Sequence, residues 1–492
     1  MRHAAILGAT LLLVLGVVPA AAQEFMPSWR DRITFSVNNR VRGEFVDWFG
    51  PPTHAPDGTP ITPGAERYDF FANRFRAGIR VLLPPVELNL QFQYTELANL
   101  PEDASLPPPI GNLGTGAIYF ANTHRTPQGE PVFKQGTLTV RGRGFTATLG
   151  RFEYRDGLEV VPSDATLAML ARTRIAERLV GPFDFTNVGR SFDGARIAYD
   201  TPDWNLTALG SRPTQGGFEV SANRELDIEL AGLAWTLKRA PEWSPPVRAR
   251  VFYLYYRDGR DDALKVDNRP LPVRMADKAP IAINTIGGDA ITAIDAGPGI
   301  VDLLLWGVVQ TGTWGRQSHG AWAWAAEAGY QLPQIPAAPW LRAGWNRSSG
   351  DANPTDDHHR TFFQLIPTAR TYARLPFFNL MNSSDAFLEL VLRPHERVLI
   401  RGDVHWLRLT EGRDLWYSGG GATSNTFFGY AGSPAFGSRE LARLADLSVT
   451  VILHQRLTLE GYYGHAFGRS VVGWTFPGKD ADYGFLEMTF SY

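Results

Sequence analysis

The stretch FANRFRAGIRVLLPPVELNLQFQYT, residues 71–95, decides the fold because its side chains alternate in character with a period of two. Apolar residues recur on one face of 71–81, and the arginines Arg74, Arg76 and Arg80 lie on the other. After the turn at Pro84-Pro85, apolar and polar residues alternate again from Val86 to Thr95. Such alternation predicts a β-hairpin with one apolar face and one polar face. Strands much longer than the ordinary length of about 5–6 residues indicate a membrane barrel with lipid outside and polar side chains inside.

The same alternation recurs in other segments of the chain. These segments are 33–49, 225–235, 247–255, 398–409, 456–463 and 486–492. The last one ends on Tyr492, and an alternating terminal strand with a final aromatic residue is typical of outer-membrane barrels. Connections rich in Gly, Pro and Asp are expected at Pro51–Ala65, Pro101–Gly129, Arg257–Asp295, Ser348–Asp385 and Trp416–Glu440. We therefore predict an all-β fold, a single-domain transmembrane antiparallel β-barrel of about 18 strands, with long connections outside and short turns inside.

Residues 1–22 have the pattern of a cleaved secretory signal peptide, which leaves 23–492 for the barrel. Arg2 and His3 are followed by the apolar stretch 6–18 and by three alanines at 20–22. The apolar stretch is shorter than the roughly 20 residues of a transmembrane helix. The chain also contains no cysteine, so an exported protein of this sequence must be stabilised without disulfides. A mean hydropathy of −0.17 fits a barrel, in which only alternate residues of each strand face lipid.

Net charge and motif content exclude several function classes. The net charge is −2, which indicates neither nucleic acid nor an anionic membrane surface as partner. No nucleophile elbow or zinc-protease motif occurs, so we expect no enzyme, no cofactor and no metal. A cluster of acidic and histidine residues at Asp351–His359 could hold a divalent cation, but its spacing does not match a calcium loop. We interpret that cluster as part of a solvated outer loop.

Arginine is the dominant cation, with only five lysines among the 48 basic residues. Arginine binds planar carboxylates with two parallel hydrogen bonds, although high genomic GC content would explain the same bias. Several arginines follow one another in or near the predicted strands. If they converge in a lumen, they form a positive constriction selective for anions. The alternative is that they pair with Glu44, Glu87, Asp193 or Glu229 and brace the barrel wall, and both can hold at once.

Three segments resemble the alginate-export family. They are GRFEYRDG at 150–157, RTRIAERLVGPFDFTNVGRSFDG at 172–194 and SGDANPTDDHHRTFFQLIPTARTYARLPFFNLMNSSD at 349–385. The resemblance implies an 18-stranded outer-membrane barrel whose arginine-lined pore is restricted by a long periplasmic turn and an extracellular loop. It also implies carboxylate contacts in the pore, which we assign to Arg74, Arg151, Arg174, Arg190, Arg360 and Arg370. Asp193 is then expected to orient these arginines from the side.

The function expected from these features is an anion-selective outer-membrane channel that exports an acidic polysaccharide such as alginate. One alternative is a substrate-specific porin that imports small organic anions or oligouronates. The other is a barrel with a plugged lumen that binds a partner at its outer loops. The expected partners are a carboxylate anion, outer-membrane lipid and, as the resemblance implies, a periplasmic scaffold protein and a synthase complex. We expect a monomer, since trimeric general porins have a different strand count and a characteristic long inward loop.

Overall fold

The computed structural model describes residues 32–238, 245–368 and 373–492, so the predicted signal peptide at 1–22 lies outside the described residues. The strands are β1 Ile33–Asp47, β2 Arg67–Leu83, β3 Val86–Ala98, β4 Gln128–Gly142, β5 Phe145–Phe152, β6 Phe192–Asp200, β7 Trp204–Pro213, β8 Ile228–Leu237, β9 Val247–Asp258, β10 Ile281–Ala296, β11 Gly299–Trp314, β12 Gln317–Gln331, β13 Trp340–Ser348, β14 His358–His359, β15 Ser383–His395, β16 Val398–Leu409, β17 Leu415–Gly419, β18 Tyr430–Pro434, β19 Glu440–His454, β20 Leu457–Gly468 and β21 Asp480–Ser491. The α-helices are α1 Thr115–Thr123, α2 Ala165–Leu170, α3 Leu271–Ala276 and α4 Ser470–Thr475, and a π-helix at Ala171–Ile175 continues α2. None of these helices is long and apolar enough to cross a membrane.

Eighteen of the strands form a closed antiparallel barrel, as the sequence predicts. Each barrel strand pairs with the next along the chain, and β1 pairs with β21, with Val41 opposite Met488, to close the cylinder. The other three strands lie outside this ladder: β14 pairs in parallel with β12, and β17 pairs with β18. Closure leaves no strand edge, so backbone groups in the hydrocarbon region are hydrogen-bonded within the wall.

The alternation in the sequence corresponds to the two faces of the wall. Large apolar side chains at one parity are exposed on the outside, among them Phe35, Phe92, Ile286, Leu305 and Leu486. At the other parity the side chains point into the barrel and are buried, including Arg74 and Arg76 of β2. This is the pattern of a barrel whose outer surface faces lipid.

The two ends of the barrel differ in the length of their connections. At one end the connections contain two to nine residues, and at the other they contain 11 to 39, apart from the turn at Gly315-Arg316. This asymmetry identifies the short end as periplasmic and the long end as extracellular. The long periplasmic turn implied by the family resemblance is not found among the described residues, because the longest connection at that end has nine residues.

The expected connection Arg257–Asp295 is wrong in its second half, because residues 281–296 form β10. Both faces of β10 are apolar at several positions: Ile281, Ile283 and Ile291 are buried inside, while Ile286 faces outward. The period-two pattern was therefore weak in the sequence. The inner face is apolar because it packs against chain inside the barrel rather than against water.

The 39-residue connection 153–191 enters the barrel from the extracellular end. Its apolar residues, including Leu167, Leu170 and Ile175, join one core cluster with inward side chains of the wall such as Leu304 and Trp306. This cluster fills the part of the lumen beside β8–β13. Polar space is left on the opposite side, beside β1, β20 and β21.

Leu305→Arg tests the assignment of the outer face. Leu305 is 61% exposed near the middle of β11, so a guanidinium there would lie in hydrocarbon. We expect a loss of about 2–4 kcal/mol in the free energy of unfolding, measured by urea denaturation in lipid vesicles. Val301→Arg, on the same face beside the periplasmic turn, is the control and should lower the free energy of unfolding by at most about 1 kcal/mol. Equal costs at the two positions would contradict a lipid-facing wall.

Candidate functional site

A cavity of about 430 Å³ lies between the wall formed by β1, β20 and β21 and the inward connections 153–191 and 349–382. Among the described residues, seven arginines line it: Arg40, Arg42, Arg155, Arg172, Arg174, Arg178 and Arg374. Four carboxylates line it as well: Glu177, Asp184, Glu460 and Glu487. Positive side chains therefore outnumber negative ones around the cavity. Such a lining attracts anions and repels cations.

Asp184, on the inward connection, contacts two arginines of β2. Its Oδ1 accepts hydrogen bonds from Nη1 of Arg74 at 2.8 Å and from Nη2 of Arg76 at 2.7 Å. Burial alone would raise the pKa of Asp184, but Arg74, Arg76 and Arg40 hold it well below its usual range. Asp184 is therefore charged at any physiological pH and ties the connection to the wall.

Arg40 and Arg42 of β1 form the part of the cavity wall opposite the inward connection. Nη2 of Arg42 lies 2.6 Å from Oε2 of Glu487, and the guanidinium stacks 4.6 Å from the ring centre of Phe485. Arg40 donates to main-chain carbonyls of the connection, including that of Asp184 at 2.8 Å. These two arginines hold the connection in place, and they also border the cavity.

Arg174 lies on the π-helix and forms a buried ion pair with the wall. Its Nε and Nη2 donate to the two carboxylate oxygens of Glu327 at 2.8 and 3.0 Å. Arg178 and Arg342 contact the same carboxylate, each at 3.0 Å. Arg174 also stacks on Phe387, with its guanidinium carbon 4.3 Å from the ring centre. One wall glutamate thus fixes the helical part of the connection.

Arg172 differs from the other arginines of the cavity. It is exposed and borders the cavity, and it forms no ion pair with any residue that the structure describes. Arg155 is also partly open, with 39% of its side chain exposed, although it pairs with Glu177 at 2.5 Å. A guanidinium has five N–H donors, so these two side chains can still bind an entering carboxylate.

Of the six predicted site residues that the structure describes, two lie in the charged part of the lumen, namely Arg74 and Arg174. Arg151 and Asp193 pair with each other at 2.6 Å, but on the outer face of the wall. They share the parity of the outward residues Leu149 and Ile197, and their neighbours Phe152 and Phe192 point inward into the core. We therefore correct the expectation for Arg151 and Asp193 and remove them from the candidate pore contacts.

The remaining predicted residues lie elsewhere. Arg190 is fully buried beside Phe183 and Gly420, where burial lowers its pKa to about 10, and it does not line the cavity. Arg360 lies in the extracellular connection and pairs with Asp356 at 2.8 Å, so it is not a wall residue of the cavity either. Arg370 lies outside the described residues.

The Asp351–His359 segment forms its own contacts in the extracellular connection. The carboxylate of Asp351 accepts hydrogen bonds from the main-chain N–H groups of Asn353 and Arg360. The ring of His359 stacks on Trp314, with 4.1 Å between the ring centres. Within the residues that the structure describes, no group of three or more acidic or histidine side chains is arranged to hold a metal ion.

Sequence reasoning missed several cavity residues. Arg40 and Arg42 were identifiable, because they share the inward parity of β1 in the same way that Arg74 does in β2. Asp184 and Glu327 carried no such signal. Their importance depends on which wall positions the connection meets after it folds inward, and no local pattern encodes that.

Asp184→Asn tests the role of the carboxylate beside the cavity. Removing one negative charge about 8 Å from a passing anion in water lowers the energy of that anion by about 0.5 kcal/mol. This energy corresponds to an increase of about two-fold in anion permeability. We expect the anion-to-cation permeability ratio of single channels to rise by at least that factor. The pKa of Asp184 is depressed, so this carboxylate is fully charged at neutral pH and loses its charge only as the pH falls through that pKa. The change in permeability ratio caused by Asp184→Asn should therefore be constant from pH 5 to 8. Asp193→Asn, on the outer face, is the control; an equal effect of both variants would contradict this geometry.

Comparisons with known proteins agree with this architecture. The family model "Alginate export" matches residues 135–468. Among solved structures, OccAB2 of Acinetobacter baumannii aligns with a TM-score of 0.59 at 10% identity, over 95% of this chain and 99% of that one. OccK5 (OpdH) of Pseudomonas aeruginosa aligns with a TM-score of 0.53 at 10% identity, over 94% and 98% of the two chains. A search of the curated proteins found no match. At these identities the solved structures establish the barrel fold alone, but the family match covers most of the sequence: the chain belongs to the alginate-export family of bacterial outer-membrane β-barrels.

Proposed function

We propose that this outer-membrane channel exports an acidic polysaccharide, a polyuronate such as alginate, through its arginine-lined lumen. The single observation that supports this most is the cavity with seven arginines against four carboxylates, in which Arg172 has no ion-pair partner among the described residues. A polyuronate presents a row of carboxylates, and each would meet guanidinium donors as it passes. Family and fold are those of a transport barrel rather than of an enzyme class.

The carboxylates already present in the cavity favour passage over tight binding. Glu177 and Glu487 compete with substrate for Arg155 and Arg42. An anion that enters must therefore share its donors with fixed acids, which keeps each contact weak. A channel conducts only if its sites bind strongly enough to admit the ion and weakly enough to release it. In this proposal the chain advances by exchanging one arginine partner for the next.

A second candidate is a porin specific for small organic anions. The cavity of about 430 Å³ supports it, because this volume falls within the range of roughly 300–1,000 Å³ found for small-molecule sites. Both functions use the same arginines. They differ in how binding should depend on the length of the ligand. An exporter of polymer should bind longer oligouronates more tightly, and a small-anion porin should not. A periplasmic scaffold partner and a monomeric state remain predictions of the export hypothesis.

Arg172→Gln tests the pathway in planar bilayers, with oligomannuronate of increasing length as the blocking ligand. The substitution removes the one cavity arginine that has no ion-pair partner in the described part of the chain, so the fold should be unaffected. We expect the wild-type channel to prefer anions and to be blocked by oligouronate. The variant should need about ten-fold more ligand for half-block, which corresponds to the loss of roughly 1.4 kcal/mol of binding.

Arg151→Gln is the matched control, because that arginine lies on the outer face of the barrel. It should leave the half-blocking concentration unchanged. Block that grows stronger with chain length favours the exporter, and block that is independent of length favours the small-anion porin. A barrel that prefers cations, or that oligouronate does not block, would refute both.

A further inference from the structure

Three arginines project into the barrel near its periplasmic end, and none of them lines the cavity. Arg80 of β2 follows the inward parity of Arg74 and Arg76, and Arg141 of β4 reaches inward to Glu87 of β3. Arg196 of β6 has the parity opposite to that of the outward residues Ile197 and Tyr199, so it also faces the lumen.

These arginines lie near one level of the wall. Arg80 is opposite Asn89 of β3, which is opposite Thr137 of β4, and Arg141 is four residues further along β4. Arg196 is opposite Thr148 of β5, which is opposite Thr139 of β4. The three therefore lie within four residues of each other along the strands, about 14 Å, and on an arc of five strands, about 19 Å wide.

Their pairing differs from that of the arginines further in. Arg80 is exposed, and neither Arg80 nor Arg196 forms an ion pair with a residue in the described ranges. Arg141 has one partner, Glu87 at 3.4 Å, and 52% of its side chain is exposed. Arg74 and Arg76, by contrast, are at most 7% exposed and share Asp184. Arg80 and Arg196 are therefore available to a ligand, whereas Arg74 and Arg76 further in are already paired.

Arg80 also shares one face of β2 with Arg76 and Arg74. Arg80 lies four positions after Arg76 in β2, a distance of about 14 Å along the strand. An anion bound at Arg80 is thus aligned with the arginines that lead to Asp184 and the cavity. The amides between them, such as those of Gln91 and Gln135, are neutral and hydrogen-bonded to each other at 3.3 Å.

We infer that Arg80, Arg141 and Arg196 form a capture site for the carboxylates of a polymer that enters from the periplasm. This inference rests on the proposed function and adds a separate binding step to it, on the side from which an exported chain arrives. The site acts mainly on the rate of entry, because exposed charges steer an oppositely charged ligand and can raise its association rate by about 10–1,000-fold at low salt. It contributes little to the duration of block, which the cavity arginines determine.

The test is the association rate of oligomannuronate block in bilayers that hold the barrel in one known orientation, with ligand added to one side at a time. For the triple variant Arg80→Gln, Arg141→Gln and Arg196→Gln, we expect the association rate from the periplasmic side to fall about ten-fold at low salt. The dissociation rate and the association rate from the extracellular side should change by less than two-fold. High salt should remove the difference between variant and wild type, because it screens exposed charges.

The triple Arg→Lys variant keeps the charge and is the control, so it should associate from the periplasmic side at nearly the wild-type rate. Wild-type block that is the same from both sides, or a triple Gln variant that slows block equally from both sides, would overturn the capture site while leaving the pore assignment intact. A wild-type channel without any uronate block would refute the proposed function and the capture site together.

Discussion

Reciprocal ion pairs between the barrel wall and the inward connection 153–191 are the interaction on which the rest of the lumen depends. The wall supplies Arg74 and Arg76 to Asp184 of the connection, and the connection supplies Arg174 to Glu327 of the wall. A second wall arginine group, around Arg250, holds Asp156 of the connection in the same way. A buried charge left without a partner costs several kcal/mol. Neither the arginines of the wall nor those of the connection could therefore be buried without the other element.

These ion pairs also determine the shape of the pathway. The apolar residues of the connection pack against β8–β13 and fill that half of the barrel. Asp184 is turned the other way, toward Arg74 and Arg76 of β2. A cylinder of eighteen strands is wide enough to leave an aqueous lumen. The connection reduces that lumen to a cavity in which, among the described residues, arginines outnumber carboxylates. The charge of that cavity is thus a property of two elements that are far apart in sequence.

The pairing of the arginines differs along the lumen. Near the periplasmic end Arg80 is exposed and, like Arg196, has no ion-pair partner among the described residues. Most of the cavity arginines are paired with acids, and the outward pair Arg151–Asp193 takes no part in the lumen. An anion that enters from the periplasm would first meet these open donors and then guanidinium groups that it shares with fixed acids. Each exchange can then be nearly neutral in free energy, which is the condition for conduction rather than trapping.

The sequence by itself determined the barrel and the inward position of Arg74, because the two-residue period of a strand is local and lipid on one side enforces it. The length of the chain indicated the strand number. It did not determine which arginines meet in the lumen. Arg151 and Asp193 lie in the segments that resemble the family and were expected in the pore. Their positions in the alternation of β5 and β6 nevertheless place them on the outer face of the barrel. Asp184 and Glu327 became central only because the connection folds inward and brings them to the wall. Contacts between such distant segments depend on tertiary packing and on the pairing of buried charges, and no local pattern encodes either.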